Sequence, residues 1–342
     1  MNRSSLRGVI VAAITVCGTP SVVFGAVTES PATVPSETIT VARDVGLMDW
    51  PILAAERLGF FEDLSVGLDN VSVGASQALQ ALLAGELDIA VSAYHPVIIL
   101  HQQQGAEEPS DLIGIGETIV RPPFGLFVRD GIETIADLEG ATLGISTELD
   151  AAGITLRELL AENGVDPETV TFLPVGRGSE RLAALQAGGI DGTILVPPAT
   201  LNAADAGFTQ LAWLPDLQAS DDPNSFFSFV TTRSWATEHR DVVVRFLAAV
   251  DRGLSWLAEP ANREAAIHMV VDADIVDRGY AERSYDVLVA GGIFNLEVSV
   301  SLPGFEENLN ALEILGELTE RPAADLLLDP SFAEAAREIE PS

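Results

Sequence analysis

Apolar and polar positions alternate from Glu37 to Arg43, which predicts a first β-strand. The stretch Asp44-Val45-Gly46-Leu47-Met48-Asp49-Trp50 then reads as a loop. Pro51 is suited to the first turn of a helix carrying Ile52, Leu53, Ala55 and Leu58, and Gly59 stops it. A second strand is expected near Leu68 to Val73, a helix from about Leu79, and a short apolar strand at 89–92. The loop Ala93-Tyr94-His95-Pro96 leads into another helix, and a strand from Leu112 to Ile115 ends near Glu117-Thr118.

One pattern occurs twice. LQALLAGELDIAVSA, Leu79 to Ala93, aligns with LAALQAGGIDGTILV, Leu182 to Val196, so that Gly85 falls on Gly188 and Asp88 on Asp191. In both, helix-forming residues stop at a glycine, which takes the left-handed conformation without a Cβ penalty. An aspartate then opens an apolar run that reads as a buried parallel strand. Each copy follows a further strand and helix, so the chain carries two similar α/β units in series.

The second unit restarts after FGLFVR, Phe124 to Arg129. Its expected elements are a helical turn at Ile135–Gly140, a strand at Ala141–Ile145, a helix at Ile154–Glu162, a strand at Val170–Val175 and the helix of the second copy, capped by Gly176-Arg177-Gly178-Ser179. FFSFVTT, Phe226 to Thr232, is a further extended run. From Trp235 the pattern is mainly helical, with helices expected through Leu257 and at 262–271, 280–290, 305–318 and 331–338. The reading is an α/β protein of two lobes. Lobe one starts at 37–125, lobe two spans 126–230, and 231–342 returns to lobe one, with FGLFVR and FFSFVTT as the two connecting strands.

Charge narrows the partners. The chain has 18 basic and 51 acidic residues, a net charge of −33, and no lysine. Such a surface repels phosphate backbones, so a nucleic-acid partner is not expected. Arg3 and Arg7, the apolar run Gly8 to Val16 and Val23-Phe24-Gly25 read as a signal peptide, residues 1–25, cut after Gly25 or at the neighbouring Ala26. Residues 26–36, rich in Pro, Ser and Thr, read as a flexible leader. Cys17, the one cysteine, would leave with the signal. A soluble periplasmic protein follows. The four histidines have no metal-ligand spacing, and no cofactor is expected.

Several motifs resemble those of type II periplasmic substrate-binding proteins, in the nitrate, sulfonate, taurine and thiamine-precursor branch of ABC importers. Pro51 to Phe61 is similar to that family's A-x-x-x-G-[FY]-F element, and Ala84 to Ala90 to its G-x-[IL]-D element. Ile135 to Gly140 with Leu143-Gly144-Ile145 resembles the DL-x-G-K element, with Ala141 where the lysine is usual. Gly164-Val165-Asp166-Pro167 and Arg181 to Asp191 continue the match, which spans roughly Ile39 to Leu257. The resemblance implies two lobes joined by two strands, a ligand in the cleft, hinge closure, and delivery to a membrane permease with its ATPase.

Ligands of open α/β sheets lie outside the carboxyl ends of the strands. That rule selects Asp44, Trp50, Ser92, Tyr94, His95, Glu117, Thr118, Ser146, Thr147, Asp150, Arg177, Ser179 and Pro197. Helix starts near Thr147 and Ser179, with Arg177 beside the second, suit a nitrate, sulfonate or taurine-like anion, the favoured ligand. Plain helix capping is the more ordinary account of Ser146 and Ser179. Trp50 and Tyr94 as an aromatic wall, with Asp44, Asp49 or Glu117 receiving donors, instead suit a thiamine-precursor pyrimidine or other heteroaromatic.

Pyrimidine synthases that resemble the family hold pyridoxal phosphate on a lysine, which this chain lacks. A small dehydratase using Asp44 or His95 is the remaining enzyme reading, and a sensor module shares every feature named. The expectation is a non-catalytic, monomeric receptor.

Overall fold

The computed structural model describes residues 37–43, 46–105, 111–217 and 225–339. The expected signal, the leader and Asp44 lie outside them. Eleven strands occur among the described residues: β1 Glu37–Ala42, β2 Val66–Val71, β3 Ile89–Ser92, β4 Leu112–Ile119, β5 Gly125–Val128, β6 Thr142–Ile145, β7 Thr171–Pro174, β8 Gly192–Leu195, β9 Thr209–Trp213, β10 Phe227–Thr232 and β11 Phe294–Ser299. They form two sheets, ordered β11-β4-β10-β3-β1-β2 and β7-β6-β8-β5-β9. The protein is therefore a two-lobed α/β structure.

Both sheets join parallel and antiparallel strands. In the first, β1 pairs in parallel with β2 and β3, while β10 runs antiparallel between β3 and β4. In the second, β6 is parallel to β7 and β8, and β5 is antiparallel to β8 and β9. The chain crosses between sheets twice, through residues 120–124 and between β9 and β10. FGLFVR supplies β5 and FFSFVTT supplies β10, each taken into a sheet as soon as a crossing ends. The boundary expected at 230 thus falls inside β10, a strand of the first sheet. Two strands escaped the sequence reading. β9 follows a short helix without alternation, and β11 interrupts the helical C-terminal region on the edge of the first sheet.

The duplicated stretch builds the same joint twice. Gly85 and Gly188 both take φ of 70°. The Asp88 amide donates to the Thr40 carbonyl, and its Oδ2 accepts from the Thr40 amide at 2.7 Å. Asp191 does the same with Thr142, again with 2.7 Å to Oδ2. Each aspartate thus closes a ring of two hydrogen bonds with the neighbouring strand and fixes the register of a parallel pair, where a slip of one residue would expose the buried face. Those bonds, with Arg129 beside it, hold the Asp191 carboxyl below the usual range.

Helices cover both faces of the first sheet. Trp50–Arg57 packs with Arg240–Ala258 on one face, through Ile52, Ala55, Phe246 and Val250. Their axes come close enough that a Cβ on Gly253 would sit 2.2 Å from the Pro51 carbonyl oxygen. Ala75–Leu83, Tyr94–Gln104 and Leu302–Ile314 cover the other face, around Leu79, Ile98, Phe305 and Leu309. Burying such side chains stabilises by about 1.5–3 kcal/mol each.

Two contacts tie the lobes together. Helix Ala151–Glu162 of the second lobe sinks Ile154 into the cluster that holds Tyr94 and Phe305, and Arg157 pairs with Glu317 at 2.9 Å. Elsewhere Asp205, closing helix Ala199–Asp205, receives both Arg283 terminal nitrogens, at 2.8 and 2.6 Å, and the Tyr280 hydroxyl at 2.9 Å.

Candidate functional site

The carboxyl ends of β1, β3 and β4 share one edge of the first sheet with the amino ends of β10 and β11. The matching edge of the second sheet holds the carboxyl ends of β6, β7 and β8 and the start of β5. Both crossings leave from these edges, so loops from the two lobes are gathered there.

At the end of β1 lies Arg43, which the sequence reading passed over. Its side chain is 1% exposed and pairs with Asp49 and Glu56, while Nε donates to Asn70 Oδ1 at 2.7 Å. Asn70 in turn donates to Glu56 at 3.0 Å. This network pins the start of helix Trp50–Arg57 against β1 and β2. Asp49, considered as an acceptor for a ligand donor, already serves the arginine.

The aromatic wall does not form. Trp50 is fully buried, edge-on to Tyr285 with centroids 5.9 Å apart, in the cluster on one face of the sheet. Tyr94 is fully buried on the other face, edge-on to Phe305 at 5.5 Å, with its ring over Gly114, where a Cβ would lie 2.4 Å from it. Both rings are core groups, because the helices that carry them turn these positions inward.

Glu117 lies near the end of β4 and is fully buried. Its Oε1 accepts from the Ser301 amide at 3.0 Å and from the Tyr94 hydroxyl at 3.3 Å. Ser225, at the end of the second crossing, and Ser228, paired in the sheet with both Glu117 and Ser92, put buried hydroxyls at the same place. The Ser225 hydroxyl lies against the Glu117 carboxyl and favours its charged form, and the Ser228 hydroxyl lies against that of Tyr94. Burial pushes the Glu117 carboxyl up to about 7. Asn308, reaching from helix Leu302–Ile314, donates to the Ser225 carbonyl at 3.1 Å. Ser225, Ser228, Ser301 and Asn308 carry no sequence signal, since two come with a crossing strand and two from the C-terminal region.

Beside them, Ser92 is buried and its hydroxyl donates to the Ala93 carbonyl at 3.1 Å. His95 sits buried in the first turn of its helix, where burial pulls it down to about 4, and Nδ1 has no partner. Thr118 is buried next to Glu117.

On the second lobe, Asp150 caps helix Ala151–Glu162 by accepting from the Gly153 amide at 2.8 Å and also accepts from the Ser146 hydroxyl. A Cβ on Gly153 would lie 2.3 Å from the Thr147 carbonyl oxygen, so the turn demands glycine. Thr147 is exposed. At the next loop Arg177 and Ser179 are exposed, and Glu180 reaches back to accept from the Arg177 amide at 2.8 Å. Arg181, unforeseen as a site residue, is buried and donates to the carbonyls of Gly176 at 2.6 Å and Ile194 at 3.1 Å, joining this loop to β8. Pro197 is buried just before helix Ala199–Asp205. Both helix starts expected to receive an anion are thus capped by the protein's own carboxylates, Asp150 and Glu180. Among the described residues no group of three or more His, Cys, Asp or Glu is arranged to hold a metal ion, and no helix is long and apolar enough to cross a membrane.

A family described as NMT1/THI5 like matches residues 49–263. No curated protein matches the chain in sequence. Among solved structures, the nitrate-binding protein NrtA of Synechocystis PCC 6803 is similar with a TM-score of 0.70 and 14% identity, covering 90% of each chain. The alkanesulfonate-binding protein SsuA of Xanthomonas axonopodis pv. citri, bound to MOPS, has a TM-score of 0.65 and 19% identity over 89% of this chain and 99% of its own. The desulfurization enzyme DSZB is also similar, with a TM-score of 0.62 and 16% identity over 88% of this chain and 99% of that one. The periplasmic binding protein fold is shared with these structures.

Proposed function

The chain belongs to the NMT1/THI5-like family, and from that premise we propose that it is the solute-binding component of an ABC importer. It captures one small molecule where the two sheets turn their strand ends toward each other, and hands it to a permease and its ATPase. The observation that supports this reading is the edge geometry: among the described residues both crossings leave from the sheet edges that carry Ser92, Glu117, Ser146 and Asp150. Lobes so joined close on a ligand about those segments, by a population shift from open to closed. Of the proteins that share this fold, NrtA is a nitrate-binding protein and the SsuA proteins are sulfonate-binding proteins.

Two features of the chain support the non-catalytic reading. The absence of lysine removes Schiff-base catalysis, and the chain's one cysteine lies in the signal segment, which export removes. His95 and Glu117 are buried titratable groups near the strand ends of the first lobe. Export to the periplasm and a monomeric state complete the proposal. For a nitrate, sulfonate or taurine-like ligand, Arg177 is the exposed arginine at the strand-end loop of the second lobe.

A thermal-shift screen of the protein lacking residues 1–25 tests the function. Taurine, alkanesulfonates, nitrate, aminopyrimidines, amino acids and sugars are compared. A ligand at 100 times its Kd stabilises by about 2.7 kcal/mol, an easily read shift. Binding of one solute at 1:1 supports the proposal. Turnover of a bound compound, or no stabilisation by any set, sinks it.

A further inference from the structure

We propose that the contact between helices Ala151–Glu162 and Leu302–Ile314 is a proton-controlled clasp of the two lobes. Glu158 of the second lobe and Glu307 of the first hold the lobes together while one of them is neutral, and drive them apart when both are charged. The clasp acts on the lobes themselves and goes beyond the solute-binding reading, which leaves open what governs their opening.

The two helices belong to different lobes and pack on each other. Ile154, on the first, is fully buried in the first lobe's cluster with Phe305, Leu309 and Ala311 of the second. Residues four apart share a helix face, so Glu158 stands one turn beyond Ile154 and Glu307 one turn before Ala311. Glu158 is half-buried there, and among the described residues neither it nor Glu307 accepts a hydrogen bond or forms an ion pair. The arginines beside them are already engaged. Arg157 pairs with Glu317, whose carbonyl accepts from Gln102 Nε2 of the first lobe at 3.1 Å. Arg321 gathers Glu306, Asn310 and Glu313 from helix Leu302–Ile314. The contact thus carries one attraction between lobes and, beside it, two carboxyls with no arginine to neutralise them. A fixed apolar contact ordinarily has no place for such a group, since burying an unpaired charge is costly.

Glu162, a further turn along the helix from Glu158, adds a second like charge. Burial, then Glu162 and Glu307, push the Glu158 carboxyl up to about 7. The turn Pro167–Thr169, which also packs on this helix, brings only the exposed Glu168, and β8 brings no charged side chain. No arginine or histidine is among the groups that shift Glu158. Parting of the helices hydrates Glu158 and takes it away from Glu307, which returns the carboxyl toward its ordinary range. The joined form therefore binds the proton more tightly than the parted one, so acid holds the lobes together and rising pH releases them. If parting removes one pH unit of that elevation, the ratio of parted to joined forms rises about tenfold across the transition. On the solute-binding reading, a solute held between the lobes is then bound more tightly in acid.

The test measures the distance between spin labels at Gln80→Cys and Gln186→Cys, exposed positions on helices of the first and second lobes. The protein lacking residues 1–25 serves, since its one native cysteine lies in the removed segment. No solute is added, so the result stands apart from the solute-binding reading. From pH 5.5 to pH 8.5 the wild type should move toward long distances, the ratio of long to short forms rising about tenfold. Glu158→Gln should keep the short distances at both pH values. Glu307→Arg, which turns the repulsion into an attraction, should keep them at pH 8.5. Wild-type distances that do not change with pH overturn the clasp, and so does a change of equal size in Glu158→Gln. A Glu307→Arg protein that opens as the wild type does overturns the place of Glu307 in it.

Discussion

Two buried groups of the first lobe oppose each other in their dependence on pH, and removing either should change the slope of stability against pH. Glu117 is raised from 4.5 to about 7 by burial. Its folded value lies above its unfolded one, so its contribution is fully present below pH 4.5 and is lost as pH rises through 7. His95 is lowered from 6.5 to about 4, again by burial. Its neutral form is the folded one, so its contribution is present above pH 6.5 and is lost as pH falls through 4. At 1.36 kcal/mol per pH unit, each swing amounts to about 3 kcal/mol, with opposite sign. Between pH 4.5 and 7 these two swings cancel. Glu158, raised to about 7 by burial and by Glu162 and Glu307, adds a swing of like size toward acid, so the wild type should lose about 3 kcal/mol as pH rises over that window. Glu117→Gln should be nearly level there, because the Glu158 and His95 slopes oppose each other. His95→Gln should lose stability as pH rises more steeply than the wild type. Urea unfolding at half-unit steps, followed by tryptophan fluorescence with the m-value held common, reads both profiles. Profiles of Glu117→Gln and wild type that run parallel would refute the argument.

Arg43→Met leaves the Asp49 carboxylate buried without its arginine and should lower stability by about 3–5 kcal/mol, read as a fall in the urea midpoint. Gly253→Ala improves helix propensity yet forces a methyl group against the Pro51 carbonyl, so a net loss of about 1–3 kcal/mol in the same assay is expected. Asp205→Asn weakens the contact with Arg283 and Tyr280 between lobes. Distances between spin labels on the two lobes should broaden toward open forms, and added salt should shift the wild type toward the variant's distribution.

Much of the fold was legible because it is local. Gly85 and Gly188 stop helices at the positions their pattern indicates, and the strands after Asp88 and Asp191 are buried and parallel as the apolar runs imply. The aspartates' bond to the adjacent strand was not legible, since Thr40 lies 48 residues away from Asp88. The candidate site was less readable for the same reason. Glu117 was picked out by strand-end position alone, but Ser225 and Ser301 come to it from more than a hundred residues downstream. Trp50 and Tyr94 show the opposite error: position at a strand end says nothing about which way a helix turns its first side chain. Ser179 stands in the first turn of its helix, but Thr147 lies in the loop before Asp150 and Ala151, and the capping groups at the two starts are Glu180, within the first turn, and Asp150, just before it.

The place of β10 between β3 and β4 has a consequence for the order in which the molecule can be assembled. All five strands of the second sheet lie between residues 125 and 213, so that half is complete once its last strand is available. The other half is divided: β3 and β4 face a gap that only residues 227–232 can fill, so both keep a bare edge until then. Bare edges invite pairing with other chains, and closing them late is slow because the loop to be closed is long. The nascent chain is thus most exposed to self-association between the synthesis of β4 and that of β10. Pulse-labelled hydrogen exchange during refolding should find β5–β9 protected first, with β3, β4 and β10 gaining protection together in a later step.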